Sequence, residues 1–124
     1  MNRYELLINA EIAPSWYKVT AIQNVRNLAG CIDYCIENKA RLIVTKTKIE
    51  IIHAALIRVS KAENVPILVK DKTLAQSLSM AYSYKKIFTK DTLPMVPFII
   101  LLDYDGPMPV NTNILTAVYS TKET

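Results

Sequence analysis

The sequence predicts an α/β fold, a single-domain αβα sandwich around a central, largely parallel or mixed sheet of four to five strands. Two observations carry this expectation. Short runs rich in Val, Ile and Leu, at Arg41–Val44, Val65–Val69 and Val96–Leu102, alternate with stretches of helical periodicity. That alternation is the pattern of βαβ units, in which a helix carries the chain back to start a parallel neighbour. In addition, Lys46, Lys48, Lys70 and Lys72 gather just after the first two runs, where open α/β sheets bind ligands.

Taken in order, Tyr4–Ala10 suits a first strand, broken by Pro14 and Ser15, and Trp16–Val19 a short second one. Thr20-Ala-Ile-Gln23 has the capping-box pattern, so a helix is expected from Thr20 to Asn38 with Ile22, Val25, Ala29, Ile32 and Ile36 on one stripe. Thr47-Lys-Ile-Glu50 repeats the pattern ahead of a second helix at Ile49–Glu63, which Asn64 and Pro66 end. Asp71 or Thr73 caps a third helix carrying Leu74, Leu78, Ala81 and Tyr82. Right-handed crossovers are expected to cover both faces of the sheet. Pro107 and Pro109 force an extended turn, after which Ile114–Tyr119 is expected as an edge strand. The core thus spans about 20–106, with 1–19 a strand extension and 107–124 an edge strand and tail.

A chain of 124 residues buries about two-thirds of its unfolded surface, so neither a metal nor a disulfide is needed to fold it. No cofactor is implied. Only two glycines argue against a glycine-rich phosphate loop. Cys31 and Cys35 lie one turn apart on a helix, where they read as small apolar residues; this fits a reducing, cytoplasmic compartment. No apolar run reaches the roughly 20 residues of a membrane span, so no membrane partner is expected.

Charge is uneven. Residues 39–90 hold eleven Lys or Arg against three acids, a net of +8, and the rest of the chain carries −4. Such asymmetry points to an anionic partner, RNA, DNA or an acidic protein. Tyr82 and Tyr84 precede Lys85-Lys86, the interleaving of aromatic and basic groups found in single-strand binders, and Lys90 extends the track.

Phe98-Ile-Ile-Leu-Leu-Asp103-Tyr-Asp105-Gly106 resembles the first motif of haloacid-dehalogenase-type phosphatases, whose first Asp is a nucleophile. Pro107 replaces that family's usual Thr, and only 18 residues follow Gly106, too few for its remaining motifs. Asp71, Asp103 and Asp105 can also be read as the acids of a metal-dependent nuclease, but the first central strand ends in lysines rather than an acid. His53, the only histidine, has no nucleophile assigned to it by spacing. No catalytic or metal-binding residue is therefore assigned.

From Asn27 to Asp105 the order of elements resembles the ribosomal-protein superfamily of kink-turn RNA-binding proteins. The matching segments are Ala40-Arg-Leu-Ile-Val44 and Asn64-Val-Pro-Ile67. That family's Gly-x-Asn-Glu-x-x-Lys signature falls here on Asn27, Ala29, Gly30 and Asp33. The resemblance therefore implies an RNA-associated or protein-docking module and not kink-turn reading. The expected function is non-catalytic nucleic-acid binding, RNA first, through Lys46, Lys48, Lys70 and Lys72 on adjacent strand ends, with Tyr82, Tyr84, Lys85, Lys86 and Lys90 extending the ridge. The alternatives are a scaffolding subunit or homo-oligomer, using Leu6, Leu7, Trp16, Tyr17, Ile114, Leu115 and Tyr119, and a phosphate-ester-acting enzyme using Asp103 and Asp105.

Overall fold

The computed structural model describes residues 15–121 as one α/β domain. In chain order the elements are β1 (Trp16–Thr20), α1 (Val25–Glu37), β2 (Arg41–Thr45), α2 (Ile49–Glu63), β3 (Ile67–Leu68), α3 (Lys72–Tyr82), β4 (Ile87–Phe88), β5 (Phe98–Leu102) and β6 (Asn113–Thr121). The six strands form one sheet in the order β1-β2-β6-β5-β3-β4, with every pairing parallel. The strand expected at Tyr4–Ala10 lies outside the described residues.

The topology follows from the handedness of parallel crossovers. The steps β1 to β2, β2 to β3 and β3 to β4 all move one way across the sheet, and each passes through a helix. The steps β4 to β5 and β5 to β6 move back. A right-handed crossover that reverses direction must use the opposite face. The two cores agree. Leu28 and Ile32 of α1, Ile52 and Leu56 of α2 and Leu78 of α3 pack with Leu42, Ile100, Leu102 and Val118. Leu93 and Met108, from the two returning connections, pack on the other face with Leu68, Ile99, Leu101, Ala117 and Tyr119.

The described helices therefore all cover one face, and the second helical layer expected of an αβα sandwich is absent among the described residues. The returning connections, 89–97 and 103–112, contain Pro94, Pro97, Pro107 and Pro109, each lacking the N–H that an interior helical turn requires. Their apolar residues cover the sheet in irregular form.

Two further expectations are corrected, and one strand is added to those expected. β6 is not an edge strand: β2 and β5 flank it. Its run Ala117-Val118-Tyr119 is buried on both faces, and three consecutive buried residues are the signature of an interior parallel strand. β4 is two residues long, too short for any periodicity to disclose. Finally, neither capping box forms. Thr20 ends β1, where its hydroxyl accepts from Thr45 Oγ1 (2.9 Å). α1 is capped by Asn24, whose side chain accepts from Asn27 N. α2 begins after Lys48 with no side-chain cap, because Thr47 Oγ1 accepts from Ile22 N (3.1 Å). In both cases a partner some 25 residues away outcompetes the local bond.

Candidate functional site

In a βαβ unit the helix runs back against the strands, so its end and the start of the next strand lie on the sheet's amino edge. This divides the nine basic and aromatic residues between two edges. Lys46 and Lys48 follow β2, Lys70 and Lys72 follow β3, and Lys90 follows β4, all at the carboxyl edge and all exposed. Tyr82, Tyr84, Lys85 and Lys86 lie between the end of α3 and the start of β4, at the amino edge. One continuous ridge through all nine is therefore ruled out. Tyr84 is also buried and donates its hydroxyl to Val65 O (2.5 Å), so its ring is unavailable for stacking on a base. Lys86 Nζ donates to Asn64 Oδ1 (2.7 Å).

The two carboxyl-edge lysine pairs are not on adjacent strands. β6 and β5 stand between β2 and β3, which places the pairs about 14 Å apart at the usual strand spacing. Asp103, at the end of β5, occupies the interval. The neighbouring strands β5 and β3 send their following segments to opposite faces, the topological switch at which parallel sheets open a crevice.

Each lysine pair sits on a braced turn. Gln23 reaches from the segment after β1 to the 46–48 turn, donating Nε2–H to Lys46 O (2.8 Å) and accepting from Lys48 N (3.2 Å). Asp71 Oδ1 accepts from Thr73 N (2.8 Å) and Leu74 N (3.2 Å), so the first amides of α3 are already satisfied and that helix offers little to an anion. The first turn of α2 has no such cap. No sequence motif signals Gln23, because its partners are distant in the chain.

The Asp-Tyr-Asp-Gly segment anchors the β5–β6 connection. Asp103 has φ 48°, a left-handed backbone that Asp tolerates better than most residues. Its carboxylate accepts from Ser120 N (2.8 Å) and Ser120 Oγ (2.7 Å). Tyr104 is buried, donates its hydroxyl to Pro107 O (2.6 Å), and its carbonyl accepts from Tyr119 Oη (2.7 Å). A Cβ at Gly106 would stand 2.8 Å from Tyr104 Oη, so only glycine lets that ring close on the turn. Asp103, Tyr104 and Gly106 of the phosphatase-like motif thus each have a structural job, and Asp105 is exposed. Asp103→Ala is expected to destabilise the fold by about 2–3 kcal/mol, from two lost hydrogen bonds and a strained alanine backbone. Asp103→Asn, which keeps one acceptor oxygen and tolerates the conformation, should lose about half as much in urea unfolding.

His53 lies on α2, half-buried. Burial, the larger influence, pushes its imidazole below the ordinary histidine range, and the nearby carboxylates of Asp103 and Glu50 oppose the shift. Asp103 is thus near enough to His53 to act on its charge, while its carboxylate bonds Ser120. The unfolded chain holds the His53 proton more tightly than the folded one. This contribution to stability is complete above the unfolded value, near 6.5, and is lost as pH falls from there toward the lower folded value. The unfolding free energy from urea titration should therefore rise between pH 5 and pH 7, by at most about 1.4 kcal/mol per pH unit from this group, and His53→Gln should flatten the rise. An unchanged slope would exclude the assignment.

Among the described residues no three His, Cys, Asp or Glu side chains are grouped to hold a metal ion, so Asp71, Asp103 and Asp105 do not converge as the nuclease reading requires. No described helix is long and apolar enough to cross a membrane. Cys31, half-buried, and Cys35, buried, are both free thiols, and burial pushes that of Cys35 up to about 11. Of the residues expected at a protein interface, Tyr119 is wholly buried, and Trp16, Ile114 and Leu115 are half-buried; Leu6 and Leu7 lie outside the described residues. Tyr17 is exposed, its hydroxyl bonded to Tyr34 (2.8 Å) above an apolar groove of about 510 Å³ beside β1. No family model, curated protein or solved structure matches the chain.

Proposed function

We propose that the chain is a non-catalytic module that binds single-stranded nucleic acid, RNA in the first instance, across the carboxyl edge of its sheet. The observation that carries this is the spacing of charge on that edge: two lysine pairs about 14 Å apart with Asp103 between them, and Lys90 beyond. Asp71, Asp91, Asp103 and Asp105 share the edge, so its field is a set of local positive points rather than a uniform patch. A stiff duplex presents evenly spaced phosphates and would set some of them over the acids. A flexible single strand can place phosphates at the lysine pairs and lift its backbone between them. Single strands are held by such backbone-tracking cations, with little sequence preference. The resemblance to the kink-turn superfamily is part of this proposal only at the level of an RNA-associated α/β module.

The test is fluorescence anisotropy with a labelled 12-nucleotide oligouridylate and a duplex of equal length. Five phosphate contacts to a single strand imply a log–log salt slope of about −3.5, a loss of about a hundredfold in affinity between 50 and 200 mM salt. The single strand should bind the tighter of the two. No binding at 50 mM salt, or a preference for the duplex, would overturn the proposal.

The scaffolding reading keeps one specific support, the Tyr17–Tyr34 groove, where aromatic rings are exposed beside the edge strand β1. Co-purification of a protein that survives nuclease treatment and is lost on Tyr17→Ala would favour it.

A further inference from the structure

Six of the chain's seven tyrosines lie among the described residues, and their surroundings differ sharply. Tyr84, Tyr104 and Tyr119 are buried, and each donates its hydroxyl to a backbone carbonyl. Tyr82 is half-buried. Only Tyr17 and Tyr34 are exposed, at 40% and 45%. These two meet: their hydroxyl oxygens are 2.8 Å apart, and their rings stand edge to face with centroids 5.0 Å apart at 88°. The contact is tertiary, across 17 residues of chain, between the edge strand β1 and the last turn of α1.

Two features make this pair more than a surface contact. Neither ring packs in either core, so each can turn without disturbing the fold. Gly30, one turn before Tyr34, lines the same groove, and a Cβ there would meet nothing within 4 Å. Glycine weakens a helix interior relative to alanine, and no close contact requires it at this position. Its effect is to leave open space on the side toward which a helical side chain leans, giving the Tyr34 ring room to move. The hydrogen bond from one phenol to the other also pushes Tyr17 above the ordinary tyrosine range, so its oxidation at neutral pH must remove a proton together with the electron.

We propose that Tyr17 and Tyr34 form an oxidative modification site, at which a peroxide acting through a haem peroxidase joins the two rings as a dityrosine. Each phenol loses its hydroxyl hydrogen as one electron and one proton, and the unpaired spin spreads to the ring carbons beside the oxygen. One such carbon from each ring forms the new carbon–carbon bond. The hydrogens on those two carbons then move to the oxygens and restore both phenols. The two hydrogen atoms removed convert one hydrogen peroxide to two waters. The hydroxyls remain neighbours in the product, as they already are before it forms. The bond is a covalent clasp from β1 to α1, and it restricts the unfolded chain as any cross-link does. The site does not depend on the nucleic-acid reading.

The test is treatment of the whole chain with limiting hydrogen peroxide and a haem peroxidase, followed by thiol reduction to remove any disulfide. The product should be a monomer lighter by two hydrogen atoms, with dityrosine fluorescence. Trypsin should then release peptides 4–18 and 27–39 joined. Tyr17→Phe and Tyr34→Phe keep the ring contact, should fold as wild type, and should each abolish the joined peptide. Tyr17→Phe also separates this site from Tyr4, which shares the first peptide and lies outside the described residues. The cross-linked monomer should melt about 5 °C or more above the untreated chain. Joined peptides that persist in Tyr17→Phe, cross-linking mainly between chains, or no cross-link under conditions that couple free N-acetyltyrosine amide would overturn the proposal. An unchanged melting midpoint in the cross-linked monomer would overturn the clasp.

Discussion

Val118→Pro is expected to abolish the folded state. Val118 is fully buried at the centre of β6, opposite Leu42 of β2 on one side and Leu102 of β5 on the other, and its carbonyl accepts from Asp103 N (2.9 Å). Proline removes an N–H and forces a ring into a strand with neighbours on both sides, a position where proline is essentially not found. It also removes a valine side chain from the core between the sheet and the helices. The combined cost, above about 5 kcal/mol, reaches the 5–15 kcal/mol that stabilises a typical domain. Urea unfolding should show no cooperative transition at 25 °C. Val118→Thr is the control: it keeps the β-branched shape, buries one hydroxyl, and should cost about 1–3 kcal/mol while the fold survives. A cooperative Val118→Pro protein destabilised by only about 1 kcal/mol would restore β6 to a sheet edge.

Replacing Lys46, Lys48, Lys70 and Lys72 together by glutamine is expected to lower oligouridylate affinity at least about a hundredfold at 50 mM salt. The salt slope should fall to about −0.7, the value for one remaining phosphate contact. All four side chains are exposed, so the fold should hold. The comparison that gives this result meaning is Lys85→Gln with Lys86→Gln. These two also neutralise lysines, but on the amino edge, and should change affinity by less than about threefold. If both sets weaken binding in proportion to the charge removed, the effect is general attraction to a basic protein. A loss confined to the carboxyl-edge set locates the strand there.

What could be read from the chain depended on how local the deciding interactions are. The boundaries of α2 are as expected, because they rest on a stripe of apolar residues and on Asn64, which takes the left-handed conformation at the helix end. The cap of α3 by Asp71 is equally local, made to residues two and three positions on. The failed capping boxes show the limit. Thr20 and Thr47 have the right neighbours in sequence, but the β1–β2 pairing brings Thr45 to one and Ile22 to the other. A hydroxyl bonds the best-placed partner, and chain distance does not rank partners.

The candidate site shows the same division. The lysines after β2 and β3 were legible as strand-end residues, yet Tyr84-Lys85-Lys86 looks equally inviting in sequence. Only the reversal of direction in α3 sends that segment to the other edge. The acidic motif looked like chemistry in isolation and is explained by Ser120, seventeen residues later.

By itself the sequence determined the α/β class, the helix stripes, a sheet largely parallel or mixed and the concentration of positive charge, all consequences of periodicity and composition. The tertiary structure alone decided the strand order, the placement of β6 at the centre, the covering of one face by proline-rich connections, and the splitting of the lysines between two edges. Each of these depends on which strand lies beside which. Strand order is set by burial and by the handedness of crossovers, summed over the whole sheet and written in no single segment.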